Sequence, residues 1–129
     1  MSGERILVIE DNPKNMKLVR DVLQFSGYEV IEATTGEDGV RLAGQHEPDL
    51  ILMDLQLPGI DGMEALRQIR GGNAGGGAVP VLAVTASAMD EDRDRAYAAG
   101  FDGYVQKPIS VRGLQQKVHD VLNPTGSVT

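Results

Sequence analysis

The sequence predicts an α/β domain, a doubly wound sheet of five parallel strands flanked by five helices. Five apolar runs of strand length alternate with five segments of helical periodicity along 129 residues, and parallel neighbours require crossover connections of that kind. The length suits one domain. With 41% hydrophobic and 24% charged residues, three tyrosines, two phenylalanines and no tryptophan, the chain is globular in composition and its core must be aliphatic.

Arg5 to Glu10 (RILVIE) is rich in Ile and Val and too short for a capped helix, so it reads as a central strand. Asn12-Pro13 supplies a helix cap and a first-turn proline, after which Met16, Val19, Val22 and Leu23 form an apolar face up to Gly27. Tyr28 to Ala33 alternates as a strand. Thr34-Thr35-Gly36-Glu37 opens a second helix carrying Val40, Leu42 and Ala43, which its glycines weaken. Leu50 to Asp54 is the third strand, and Asp61 caps a helix with Met63, Leu66 and Ile69 inward.

The stretch GGNAGGGA from Gly71 to Ala78 leads to a fourth strand, Pro80 to Thr85. It reads as a flexible connector. A phosphate-binding loop would join strand to helix and carry the lysine of G-x-x-x-x-G-K-[ST], and this stretch does neither. Ser87 to Ala99 reads as a helix with Met89, Ala96 and Tyr97 inward, a Glu91–Arg95 pair outward and Gly100 as its stop. Asp102 to Gln106 is the fifth strand. Val111 to Leu122 is the last helix, with Val111, Leu114, Val118 and Val121 apolar, and residues 124–129 form a frayed tail after a domain spanning 1–123.

Right-handed crossovers place helices on both faces of such a sheet. In the flavodoxin-like order 2-1-3-4-5 the topological switch point lies between strands one and three, and ligands bind at the carboxyl ends there. Glu10-Asp11 ends strand one and Asp54 ends strand three, so three acids should meet. Two carboxylates at ~4 Å repel by about 4 kcal/mol at an effective dielectric of ~20. A hard divalent cation offsets that cost, and magnesium takes one or two carboxylates plus phosphoryl oxygen. Asp11, Asp54 and the Gln56 backbone carbonyl are the expected ligands of Mg2+ (or Mn2+), with Glu10 acting through water.

A carboxylate beside a metal can attack phosphorus and form an aspartyl phosphate. Lys107 can supply positive charge to the transferring group, while the Thr85 hydroxyl and the Ala86 backbone N–H can donate hydrogen bonds to it. Taken singly, each of these residues has a plainer reading: a polar strand end, a turn cap, a strand threonine, a solvated lysine. Their arrival at one edge of one sheet favours the chemical reading.

Glu10-Asp11, Asp54 within LILMDLQLPGIDG, Thr85-Ala86 within VLAVTASAM, and Tyr104 three residues before Lys107-Pro108 together resemble the receiver domain of two-component response regulators, over roughly residues 4 to 123. The run from Lys107 to Val111 and the short tail are particularly similar to stand-alone receivers of the cell-division type. The resemblance implies that a histidine kinase or histidine phosphotransfer protein phosphorylates Asp54. Thr85 then moves toward the phosphoryl group, Tyr104 turns inward, and the face made by the fourth helix, fifth strand and fifth helix changes for a downstream protein target. It also implies a cis peptide before Pro108 and catalysis limited to the domain's own phosphorylation and dephosphorylation. Gln56 and Ser87 flank the site, where the resemblance implies an influence on phosphate lifetime.

The main competitor is a metal-dependent phosphohydrolase working through an aspartyl phosphate. Hydrolases of the haloacid dehalogenase type carry D-x-D, and the second position here is Gln56. A flavin or nucleotide module on the same fold lacks its phosphate loop, since Asn12-Pro13 stands after the first strand. The net charge of -7 and pI near 4.7 disfavour nucleic-acid partners. No cysteine is present and no apolar run approaches the ~18 residues of a membrane span, so the expected location is cytoplasmic. His46 and His119 read as surface residues. Seven residues after Leu122 leave no room for an attached DNA-binding domain, so output is expected through the domain's own surface.

Overall fold

Two strands of the chain are buried over their whole length: β3 (Leu50–Asp54) and β4 (Val81–Thr85). A strand buried on both sides needs cover on both faces of its sheet, and the helices provide it. The computed structural model describes residues 3–71, 79–86 and 89–123. Besides β3 and β4 it contains β1 (Arg5–Ile9), β2 (Glu29–Ala33) and β5 (Gly103–Gln106), with α1 (Pro13–Phe25), α2 (Gly36–His46), α3 (Gly62–Arg70), α4 (Asp90–Ala99) and α5 (Val111–Leu122). All pairings are parallel and the strand order is β2-β1-β3-β4-β5, as the alternating pattern predicts.

Period-two alternation divides the core into two clusters. Leu7, Ile9, Ile51, Met53, Val81 and Ala83 face one way, against Ala43, Ala65, Leu66, Ile69 and Ala96, so α2, α3 and α4 cover that face. Ile6, Val8, Leu50, Leu52, Leu82 and Val84 face the other way, against Met16, Val19, Leu23, Leu114 and Val118 of α1 and α5. Each fully buried aliphatic side chain contributes roughly 1.5 to 3 kcal/mol. That pays for much of the ordering entropy.

Side-chain caps fix where most helices start. Asn12 Oδ1 accepts from the amides of Lys14 (2.9 Å) and Asn15 (3.1 Å), and Asp61 Oδ1 accepts from Glu64 (2.9 Å). Thr35 and Ser110 do the same for α2 and α5 through the amides of Asp38 and Gly113, both at 3.1 Å. Two glycines of α2 serve packing: a Cβ on Gly39 would collide with the side chain of Ile9, and one on Gly36 with Ile60. The expected weakness of that helix is therefore the condition for its close approach to the sheet.

The fourth helix differs from expectation. It begins at Asp90 behind Met89, which makes no side-chain cap bond, and residues 87 and 88 of the expected span lie outside the described residues. Met89 and Tyr97 are 58% and 46% exposed, leaving Ala96 as the helix's buried residue. Arg95 pairs with Asp92, one turn back at i-3, instead of with Glu91. Val111, expected on the apolar face of α5, is exposed because it lies in the first turn, ahead of Leu114. Gly100 ends α4 at φ 113°, in the left-handed region that favours glycine. The connector at 72–78 and the tail at 124–129 lie outside the described residues.

At the amino edge of the sheet, Arg70 at the end of α3 donates to the carbonyls of Val79 and Gly100 and pairs with Asp102 at 2.8 Å. Asp102 also accepts from the amide of Val81 at 2.8 Å. One guanidinium thus ties α3 to the start of β4 and to the turn before β5.

Candidate functional site

Sheet register explains why the acids meet. Val8 lies beside Leu52 and Ile9 beside Met53, so one step further Glu10 lies beside Asp54. Both acids continue the face of Val8 and Leu52, which α1 and α5 cover. They are accordingly buried, Glu10 3% and Asp54 4% exposed, while Asp11 next along is exposed. One carboxylate oxygen from each of Glu10, Asp11 and Asp54 lies within 4.8 Å of the others.

Lys107 reaches into this cluster from the turn after β5. Its Nζ is 2.8 Å from Asp54 Oδ2 and 3.4 Å from Glu10 Oε1. Backbone amides hold the remaining oxygens: Gln56 N–H donates to Asp54 Oδ1 at 2.9 Å, and Asn12 N–H donates to Glu10 Oε2 at 3.0 Å. The sequence reading missed both contacts. The signal that could have found them is the turn chemistry of an acid bonding the amide two residues on, where the strand ends.

Burial pushes the Glu10 carboxyl above its usual range; Asn12 and Lys107 oppose this, while Asp54 adds to it. For Lys107, burial alone would lower the amine, but Asp54 and Glu10 outweigh it and the pKa is raised. The lysine is held charged by two acids that need it.

Thr85 ends β4 beside the site and is 5% exposed, with Ala86 following it at an exposed position. The Thr85 carbonyl accepts from the Lys107 amide at 2.7 Å, joining the hydroxyl residue to the cation through the main chain. The Lys107–Pro108 peptide is cis. Tyr104 pairs in register with Ala83, packs half-buried beside the core on the α2–α4 face, and lines a recess of about 220 Å³ with Pro108, Leu114 and Lys117. Gln56 is exposed and Ser87 lies outside the described residues. Every donor in the acidic cluster is oxygen, which fits a hard divalent cation.

A five-stranded doubly wound sheet with an acid cluster at its switch point and a lysine from the last turn defines a class of α/β proteins with one polar site at the carboxyl edge. The chain belongs to the response regulator receiver domain family, whose match spans residues 6–119. It is 44% identical over 117 residues to the polar-differentiation response regulator DivK of Brucella abortus, covering 91% of this chain and 94% of that one. Among solved structures, the receiver domain of the sensor histidine kinase PA1611 from Pseudomonas aeruginosa superposes with a TM-score of 0.86 at 37% identity, over 94% of this chain and 98% of that one. That structure has a magnesium ion coordinated in its active-site cleft. The chemotaxis response regulator CheY4 of Vibrio cholerae superposes equally well, with a TM-score of 0.86 at 25% identity over 92% and 98% of the two chains. A stand-alone receiver of the cell-division type is thus among the relatives, as the run after Lys107 implies. No helix among the described residues is long and apolar enough to cross a membrane.

Proposed function

We propose that the domain of residues 1–123 is a phosphorylation-dependent signalling switch in the cytoplasm, with Asp54 as its phosphoacceptor. The observation that carries this reading is the setting of Asp54: a buried carboxylate 2.8 Å from Lys107, with Glu10 and Asp11 within 4.8 Å. In the reaction, an Asp54 oxygen forms the new O–P bond while the N–P bond of a phosphohistidine breaks. The histidine belongs to a histidine kinase or a histidine phosphotransfer protein, and its ring nitrogen departs with the electron pair. Lys107 offsets negative charge on the phosphoryl oxygens, and the Thr85 hydroxyl and Ala86 N–H donate to them.

Asp11, Asp54 and the Gln56 carbonyl would hold a magnesium or manganese ion, with Glu10 acting through water; when bound, the ion neutralises the crowded carboxylates and the incoming phosphoryl charge. The magnesium in the cleft of the related Pseudomonas domain supports that assignment. Thr85 moving toward the phosphoryl group draws Tyr104 inward on the neighbouring strand and alters the α4–β5–α5 face that a target protein reads. This is a population shift between two states biased by charge-assisted contacts. Catalysis is confined to the domain's own phosphorylation and slow dephosphorylation.

The deciding experiment incubates the protein with magnesium and a small acyl phosphate and locates added phosphate by mass. One phosphoryl group on Asp54 is expected, and none on an Asp54→Asn variant. Equal labelling of that variant refutes the assignment, and steady release of phosphate from unrelated esters would point to a hydrolase instead.

A further inference from the structure

Gln56 belongs to the loop, residues 55–61, that joins β3 to α3. Both ends of this loop are tied to the sheet. Leu55 N–H donates to the Val84 carbonyl at 3.0 Å, and Gly62 N–H returns to the Leu55 carbonyl at 3.2 Å. A Cβ on Gly62 would lie 2.8 Å from Leu55 Cα, so this closure needs a glycine. Between the ends the chain bends at Pro58-Gly59, where Pro58 has no N–H to donate and Gly59 stands at φ 76°.

The middle of the loop is held from another element, 23 residues away in sequence. Glu37, in the first turn of α2, accepts from the Ile60 amide through Oε2 at 3.3 Å. A Cβ on Gly59 would lie 2.6 Å from each Glu37 carboxylate oxygen, so the carboxylate occupies the space that a side chain there would take. Beside it, a Cβ on Gly36 would lie 2.6 Å from Ile60 Cγ1 and 2.7 Å from the Ile60 carbonyl oxygen. The start of α2 thus rests directly on the loop. A first-turn acid also suits the positive end of a helix, but Asp38, the other acid of that turn, pairs with Arg41 instead of reaching the loop.

Magnesium tolerates little departure from an octahedron with ligands at about 2.0 to 2.1 Å. A backbone carbonyl cannot correct its aim by turning a side chain, and is only as well placed as the loop that carries it. We propose that Glu37 is a positioning residue for the cation: by holding Ile60 and packing on Gly59, it fixes the loop that presents the Gln56 carbonyl. This role rests on that carbonyl being a ligand, as proposed above. Glu37 stands outside the cluster of Glu10, Asp11 and Asp54 and acts through the main chain.

The test measures magnesium binding by calorimetry, together with amide hydrogen exchange of the metal-free protein. Glu37 is exposed, so its variants stay folded. Glu37→Ala should weaken magnesium about tenfold, the lower end of what losing an outer partner of a ligand costs, and should speed exchange of the Ile60 amide. Glu37→Gln keeps an acceptor without the charge and should restore most of the affinity. Asp38→Ala removes a neighbouring charge without touching the loop and should leave the affinity unchanged. Wild-type affinity in Glu37→Ala, or an Ile60 amide that exchanges no faster, would overturn the clamp and leave the metal site standing. Equal losses in all three variants would do the same, because bare charge would then explain them. A wild-type protein that binds no magnesium would overturn the metal site itself, and the clamp with it.

Discussion

Replacing Lys107 with methionine removes the cation while keeping most of the side-chain volume. The loss can be worked from the geometry. At 2.8 Å from Asp54 and 3.4 Å from Glu10, and with an effective dielectric of ~20, the gross attractions are about 6 and about 5 kcal/mol. Most of this offsets desolvation of the three groups. Removing one partner of such a buried set leaves the others uncompensated at a cost of ~3 to 5 kcal/mol, and the 21% exposure of the Lys107 side chain lowers that to about 2 to 3 kcal/mol. In urea the midpoint should fall by roughly 1 to 2 M.

The deficit should also depend on pH. The Lys107 pKa is raised above 10.5, so the stability it contributes is present below that value and is lost as pH rises through the higher folded value. The Glu10 pKa is raised above 4.5, so the folded state favours its proton, and that contribution is fullest below 4.5 and lost as pH rises through the folded value. Without Lys107, which lowers it, the Glu10 carboxyl rises further. The variant's deficit should then be larger at about pH 8 than at about pH 5. Magnesium should narrow it at the higher pH. Urea melts in chelator at both values are sufficient, and a deficit that ignores both pH and magnesium would refute the charge argument.

Other outcomes follow from single contacts. Asp11→Asn should weaken magnesium binding by about tenfold or more in calorimetry without lowering metal-free stability, because Asp11 is exposed and its charge stands near two buried carboxylates; an unchanged affinity would remove Asp11 from the ligand set. Gly39→Ala should destabilise in urea despite its better helix propensity, since overpacking against Ile9 costs ~1 to 3 kcal/mol; a stabilised variant would mean that Ile9 has room to rearrange. Hydrogen bonds from Arg67 and then Gln68 hold the Glu64 carboxyl at about 2, so its contribution is present above 4.5 and lost as pH falls toward 2. Arg67→Ala should return that titration toward 4.5 in carbon-detected NMR, and persistence near 2 would assign the effect to Gln68.

Strands were legible because burial is written in composition. Leu50 to Met53 has no polar residue to place on a wet face, so only a doubly covered strand accommodates it. The meeting of Glu10 and Asp54 was legible for a related reason: both stand one position past an apolar run, and a parallel register brings such positions together. The fourth helix was less legible, since Asp90 to Arg95 is charged all round and only Ala96 is buried. Periodicity cannot orient a helix that contributes one small residue to the core. Lys107 was placed at the site by its position after β5, but its bridging of both acids depends on side-chain reach, which no spacing encodes. The Arg70–Asp102 bridge was invisible for the same reason, joining residues 32 positions apart.

That bridge bears on how the molecule can be modified. Arg70 donates to the carbonyl of Val79 and pairs with Asp102, while Asp102 in turn holds the amide of Val81. The residues entering and leaving the 72–78 connector are therefore clamped to each other by groups outside it. Chain inserted between them meets a loop whose closure the clamp already enforces, and doubling a loop's length adds only about 0.6 kcal/mol. A fluorescent or affinity module spliced there would enter between residues that stand at the end of the sheet opposite Asp54, away from the acid cluster.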